Sequence, residues 1–246
     1  MILTKVILYA RLCMVPLLIS ACVKENQQPV VINQPTPVDT ITQPPADLDT
    51  TIITWLALGD SYTIGQGVQP QERYPAQTTE KLKQHGISTR ELRYIATSGW
   101  TTLNLQSAIA TQNPVGPYGI VTLLIGVNDQ YQGRDSSGYR YNFTVLLNKS
   151  IELAGGVTQH VFVLSVPDYS VTPFGGGSVA TSTQIDLFNS INKEITLSYG
   201  IEYINVTELS REMGNDAGLI ADGLHPSGKE YEKWAGLLAD AINKVY

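Results

Sequence analysis

Positive charge, cysteine and long apolar runs are all scarce in this chain of 246 residues. Lys and Arg number 16 against 22 Asp and Glu, for a formal net charge of −6, and no Lys/Arg cluster occurs. A patch able to track a phosphate backbone is missing, so nucleic acid is excluded as a general partner. Cysteine occurs twice, at positions 13 and 22. That is too few for a disulfide framework or a multi-Cys zinc site. The uncharged stretch of the apolar N-terminus falls short of the ~20 residues that span a bilayer, and Pro16 interrupts it. Charged residues make up only 15 % of the chain, against ~25 % in an ordinary soluble domain. What is present is apolar: 43 % of residues are hydrophobic, enough to bury a core and to exclude disorder throughout. The length fits one domain of about 200 residues with additions, or two small ones.

Residues 1–21 carry two charges, Lys5 and Arg11, both positive, ahead of Leu17-Leu18-Ile19. A positive start, an apolar middle and a small-residue exit make an export signal. The exit, Ile19-Ser20-Ala21-Cys22, resembles the bacterial lipoprotein box. That resemblance implies cleavage before Cys22 and acylation of that residue, giving an exported protein held to a membrane by a lipid anchor. A plain secretory signal with an incidental Cys is the alternative. Val23 is not the Asp that retains lipoproteins in an inner membrane, so an outer membrane is expected where the host has one. Residues 23–50 hold five Pro, four Gln and four Thr and no aromatic residue or Gly. Such a segment cannot bury enough surface to fold. With the lipidated Cys it reads as a tether over 22–50, extending by ~3.1 Å per residue.

From residue 51 the pattern changes. Apolar runs predict strands at 52–58, 120–125, 161–166 and 203–206, with a weaker one at 93–96. Apolar spacings of three and four predict helices at 75–85, 102–112, 139–154, 181–199 and 227–244. Strands apolar on both faces belong to parallel sheets covered by helices. The expectation is one α/β domain over 51–246, a three-layer α/β/α sandwich on a five-stranded parallel sheet. Sites in such sheets lie at the C-terminal ends of the strands.

Those ends carry four groups of interest. The first strand leads into Gly59-Asp60-Ser61, where the turn can project a hydroxyl. A nucleophilic Ser needs a base, and His is the usual one. His85 ends a helix beside Gly86 and reads as a solvated residue, and His160 precedes a strand with no acid nearby and reads as structural. His225 lies in Asp222-Gly223-Leu224-His225-Pro226, where the acid can reach the ring N–H of the same His. Acyl transfer also needs donors where negative charge develops. Gly99 can offer a backbone N–H, and Asn128, in Gly126-Val127-Asn128-Asp129, a side-chain amide. Each alone is a common turn residue.

Together and in this order the four blocks resemble the SGNH hydrolases, also called the GDSL esterase and lipase family, over residues 55 to about 240. The resemblance implies the flavodoxin-like fold of that family and these roles. Ser61 is the nucleophile, His225 the base and Asp222 its orienting acid. The N–H groups of Ser61 and Gly99 and the amide of Asn128 form the oxyanion hole. No metal and no cofactor are implied. Asp129 supports the loop around Asn128. Tyr62 stands where the motif name has Leu and bears on pocket shape. A flavin-binding flavodoxin is disfavoured, because Asp60 would stand beside the phosphate.

The resemblance leaves the substrate open among acetylated sugars, short acyl esters, lysophospholipids and thioesters. A short-acyl or acetylated-carbohydrate ester is the preferred expectation. The alternatives are a lysophospholipase or lipase, an O-acyltransferase with the same triad, and a non-catalytic envelope lipoprotein. Segments 128–141 and 167–180 are expected to rim the pocket, with Tyr131, Arg134, Tyr139, Arg140, Tyr141, Tyr169 and Phe174.

Overall fold

The computed structural model describes residues 51–246; the export signal expected over 1–21, Cys22 and the tether expected over 22–50 lie outside them. In chain order the elements are β1 (Thr51–Gly59), α1 (Ser61–Ile64), α2 (Tyr74–Lys83), β2 (Ile87–Ala96), α3 (Thr102–Gln112), β3 (Ile120–Leu124), α4 (Val127–Tyr131) and α5 (Ser136–Leu153). Then follow β4 (Val161–Leu164), α6 (Val179–Ser198), β5 (Glu202–Ile204), α7 (Thr207–Glu212) and α8 (Gly228–Ile242).

Alternation along β1 explains the layers. Ile53, Trp55 and Ala57 point to one side of the sheet, where they meet Tyr74 and Leu82 of α2 and Trp234 and Leu238 of α8. Leu56 and Leu58 point to the other, where they meet Leu105 of α3, Phe143 and Leu147 of α5 and Ile191 of α6. Successive side chains of a strand face opposite ways, so a run apolar at every position is what a doubly covered strand requires.

All five strands are parallel and lie in the order β2-β1-β3-β4-β5. The chain leaves β1 for β2 on one side, then crosses to β3 on the other. The C-terminal ends of β1 and β3 therefore flank the switch point, where open parallel sheets bind ligands.

The α/β/α sandwich is as expected, with differences of extent. β2 starts at Ile87, six residues before the predicted 93. It is an edge strand with exposed polar positions, which hid the first half from an apolar count. α5 starts at Ser136, not 139, because the side chain of Asp135 accepts the N–H of Gly138 and caps it. α1, α4 and α7, of four, five and six residues, are additional.

Candidate active site

Ser61 opens α1 immediately beyond β1. Asp60 caps that short helix by accepting the Tyr62 N–H at 3.0 Å. Gly59 is required by close approach: a Cβ there would lie 2.1 Å from Thr63 Oγ1 and 2.5 Å from the Leu124 carbonyl oxygen. The first helix turn therefore sits directly on the end of β3, which brings Ser61 towards Asn128.

Asn128 lies in α4, after Gly126 at φ 135°. A Cβ on Gly126 would also strike the hydroxyl and ring of Tyr139 at 2.6–2.9 Å. Asn128 Nδ2 donates to the Trp100 carbonyl at 3.0 Å. That bond uses one amide hydrogen and orients the other. The next residue, Asp129, accepts the backbone N–H of Thr102 at 2.8 Å and its hydroxyl at 2.6 Å. The N-terminus of α3, and with it the turn holding Gly99, is thereby fastened to α4. Burial raises the Asp129 carboxyl above its ordinary range, against the bonds from Thr102.

His225 is 4 % exposed. Its Nδ1 lies 2.8 Å from Asp222 Oδ2. Asp222 Oδ1 accepts the backbone N–H groups of His225 at 2.8 Å and of Leu224 at 3.1 Å. Burial opposes the charge on Asp222, but these N–H bonds and the ring of His225 outweigh it and hold the carboxyl below its ordinary value. An ionised Asp222 accepting from Nδ1–H fixes the tautomer whose free Nε2 can take a proton.

Ser61, Gly99, Asn128 and His225 line one cavity of about 200 Å³ together with Tyr62, Gln66, Val127, Tyr131, Tyr169, Phe174 and Leu224. Asp222 stands behind His225. Among the described residues no hydrogen bond joins Ser61 Oγ to the ring of His225; such bonds often tighten only around substrate. The Tyr62 ring packs against that of His225 at 5.3 Å and against Trp234 at 6.2 Å, forming part of the floor.

Asp60, fully buried beneath this cavity, is raised to about 8, first by burial and then by the neighbouring charge of Asp129. Protonated at neutral pH, it sets no negative charge beside the place where an oxyanion would form.

Three of the seven expected rim residues, Tyr131, Tyr169 and Phe174, line the cavity. The other four do not. Tyr139 is buried and donates to the Ile125 carbonyl, inside the core. Arg140 forks onto Glu194 of α6 at 3.0 and 2.8 Å on the outer surface. Tyr141 and Arg134 are exposed elsewhere. Gln66, Val127 and Leu224 were not anticipated. Val127 and Leu224 each precede a site residue directly, which is the signal that could have found them. His85 is exposed after α2, and His160 stacks on Tyr246 at 5.5 Å, away from the cavity. No group of three or more His, Cys, Asp or Glu able to hold a metal occurs among the described residues.

A five-stranded parallel sheet with helices on both faces and this cavity at the switch point is the architecture of an SGNH-type ester hydrolase. The chain belongs to the GDSL-like Lipase/Acylhydrolase family, whose model matches residues 57–233. No curated protein matches the chain. Among solved structures it is similar to the lipase/acylhydrolase from Enterococcus faecalis, with TM-score 0.61, 19 % identity, and coverage of 78 % of this chain and 96 % of that one. The psychrotrophic esterase EstA from Pseudoalteromonas sp. gives 0.58 and 20 %, with 78 % and 97 % covered. An acetyl xylan esterase from Geobacillus stearothermophilus gives 0.59 and 18 %, with 77 % and 94 % covered.

Proposed function

We propose that the protein is a serine esterase acting on neutral, short-acyl esters, acetylated carbohydrates included, through a Ser61–His225–Asp222 triad. The observation that carries this is the 2.8 Å Asp222–His225 pair facing the same cavity as Ser61, Gly99 and Asn128. In the reaction Ser61 Oγ attacks the ester carbonyl carbon while its proton passes to His225 Nε2. Asp222 holds the imidazolium that forms. The N–H groups of Ser61 and Gly99 and the free N–H of Asn128 bind the oxyanion. Collapse expels the alkoxide, which takes the proton from His225. Water then repeats the sequence on the acyl-enzyme, releasing the acid and free Ser61.

Three features support the substrate class. The cavity volume of about 200 Å³ is below the roughly 300–1,000 Å³ that encloses a drug-sized ligand. Its lining includes no Lys, Arg, Asp or Glu, so nothing there is suited to a phosphate headgroup. Tyr131 and Phe174, 60 % and 54 % exposed at the mouth, offer flat apolar surface to a sugar ring.

Ser61→Ala should lower kcat on p-nitrophenyl acetate by at least about 10³-fold, with KM little changed. Ser61-independent turnover would sink the triad. A preference for palmitate would shift the reading to a lipase or lysophospholipase. Transfer to an added sugar exceeding hydrolysis would make it an O-acyltransferase. The lipoprotein box motivates a second proposal, that Cys22 is acylated and tethers the 51–246 domain to an envelope membrane.

A further inference from the structure

Beyond the cavity, the segment between β4 and α6 rests on a partly buried ion pair that the chemistry does not use. Asp168 is buried, yet it is an acid. Its Oδ1 accepts the Ser170 N–H at 3.0 Å. Its Oδ2 accepts from Ser182 Oγ at 2.5 Å and from Arg211 Nε at 3.0 Å. The same guanidinium reaches Asp186 on α6 at 2.6 Å and Glu208 on α7 at 2.9 Å. One cation of α7 thus joins three carboxylates from the loop, α6 and α7. The network outweighs burial and holds Asp168 below the usual carboxylate range.

An ion pair with one buried partner is weak evidence for stability, because desolvation offsets much of the attraction. What this one does is geometric. Tyr169, the next residue, lines the cavity. The loop then doubles back so tightly that a Cβ on Gly175 would lie 2.1 Å from the Tyr169 carbonyl oxygen. This turn stacks Phe174 near Tyr169, at 6.1 Å, and near Tyr131, at 5.8 Å. The Phe174 N–H donates to the Gly223 carbonyl at 3.0 Å, inside the turn that carries Asp222 and His225. Asp168 is therefore joined on one side to Arg211 and, through six residues of loop, to the His225 turn on the other.

We propose that Arg211 is a positioning residue: from outside the cavity it holds the Tyr169–Phe174 wall against the substrate and steadies the His225 turn. This rests on the cavity being the ester site, so one readout is chosen to be independent of turnover.

Arg211→Met should raise KM for p-nitrophenyl butyrate about tenfold, since small misplacements of positioning groups have large effects. The kcat should stay within about threefold, and Arg211→Lys should lie between. Arg140→Met, which removes the surface pair with Glu194, serves as control and should match wild type. In the same Arg211→Met protein, hydrogen exchange at Ser170, Phe174 and Gly177 should quicken at least about tenfold while Leu56 and Leu123 keep their rates. If the orphaned Asp168 prevents folding, Arg211→Met combined with Asp168→Asn removes both charges, and the same readouts apply. An unchanged KM with unchanged loop exchange would overturn the proposal. So would a fall in kcat alone accompanied by faster exchange throughout the sheet, which marks a purely structural role. Loosening confined to the loop, in a protein without Ser61-dependent turnover, would support the clamp and sink the esterase reading.

Discussion

Asp60 is a fully buried carboxyl beside the nucleophile. Its Oδ2 is buried without a hydrogen-bond partner, and the carboxyl titrates at about 8 instead of 3.8. Between those values the folded protein holds a proton that the unfolded chain gives up. The stabilising contribution is thus fully present below 3.8 and is lost as pH rises through about 8. Asp60→Asn keeps the oxygen that accepts the Tyr62 N–H and removes the titration. Thermal unfolding between pH 5 and 8.5 should show wild type losing stability relative to this variant, with a slope of up to about 1.4 kcal/mol per pH unit. Asp129 and Glu230 are raised by burial in the same direction, so the profile should flatten without vanishing. Parallel profiles in the two proteins would mean that Asp60 is ionised when folded. The position of Asp60 was legible in the sequence, its protonation was not: that depends on burial and on Asp129, 69 residues away in the chain but fastened beneath the same turn.

The short helices α1 and α4 do most of the positioning, and they are the elements that periodicity could not reveal. Four or five residues make barely one turn, which shows no repeat. They were found only as motif blocks, through Gly59-Asp60-Ser61 and Gly126-Val127-Asn128. Tyr139 shows the opposite error. Its neighbours Phe143, Leu146 and Leu147 are buried with it along one face of α5. Spacings of three and four pointed to the core, whereas aromatic character and nearness to Asn128 suggested the rim. The rim residues that were found, Tyr131, Tyr169 and Phe174, come from segments beyond strand ends, as the topology demands. The clamp between α4 and α3 yields a test at this scale. Asp129→Ala removes both acceptors of Thr102 and should let the Gly99 turn drift from Asn128. The expected loss in kcat is about 10–100-fold, less than the 10²–10³ of deleting an oxyanion donor outright. KM should change little. Full kcat in a folded variant would mean that the Asn128–Trp100 bond suffices.

At the scale of the whole molecule, every group assigned to the site lies between Ser61 and His225: Ser61 and Asn128 on the short helices that follow β1 and β3, Gly99 on the turn between β2 and α3, and Asp222 and His225 on the turn before α8. Nothing in that construction calls on residues 1–50. Their composition argues for a different task, export and attachment, and the two tasks should separate experimentally. Cys22→Ala removes the thiol that an acyl anchor requires, while the domain that holds Ser61 and His225 is untouched. One acyl chain binds a membrane only marginally and two or more hold it stably, so losing the acylated residue should release the protein outright. Fractionation of cells producing this variant should move the protein from the membrane to the soluble fraction, with kcat and KM on p-nitrophenyl acetate equal to those of the detergent-extracted wild type. Retention on the membrane would show that attachment does not run through Cys22. Release with a large fall in kcat would show that the segment before β1 takes part in the site, against a site built from the ends of β1 and β3 and the Asp222–His225 turn.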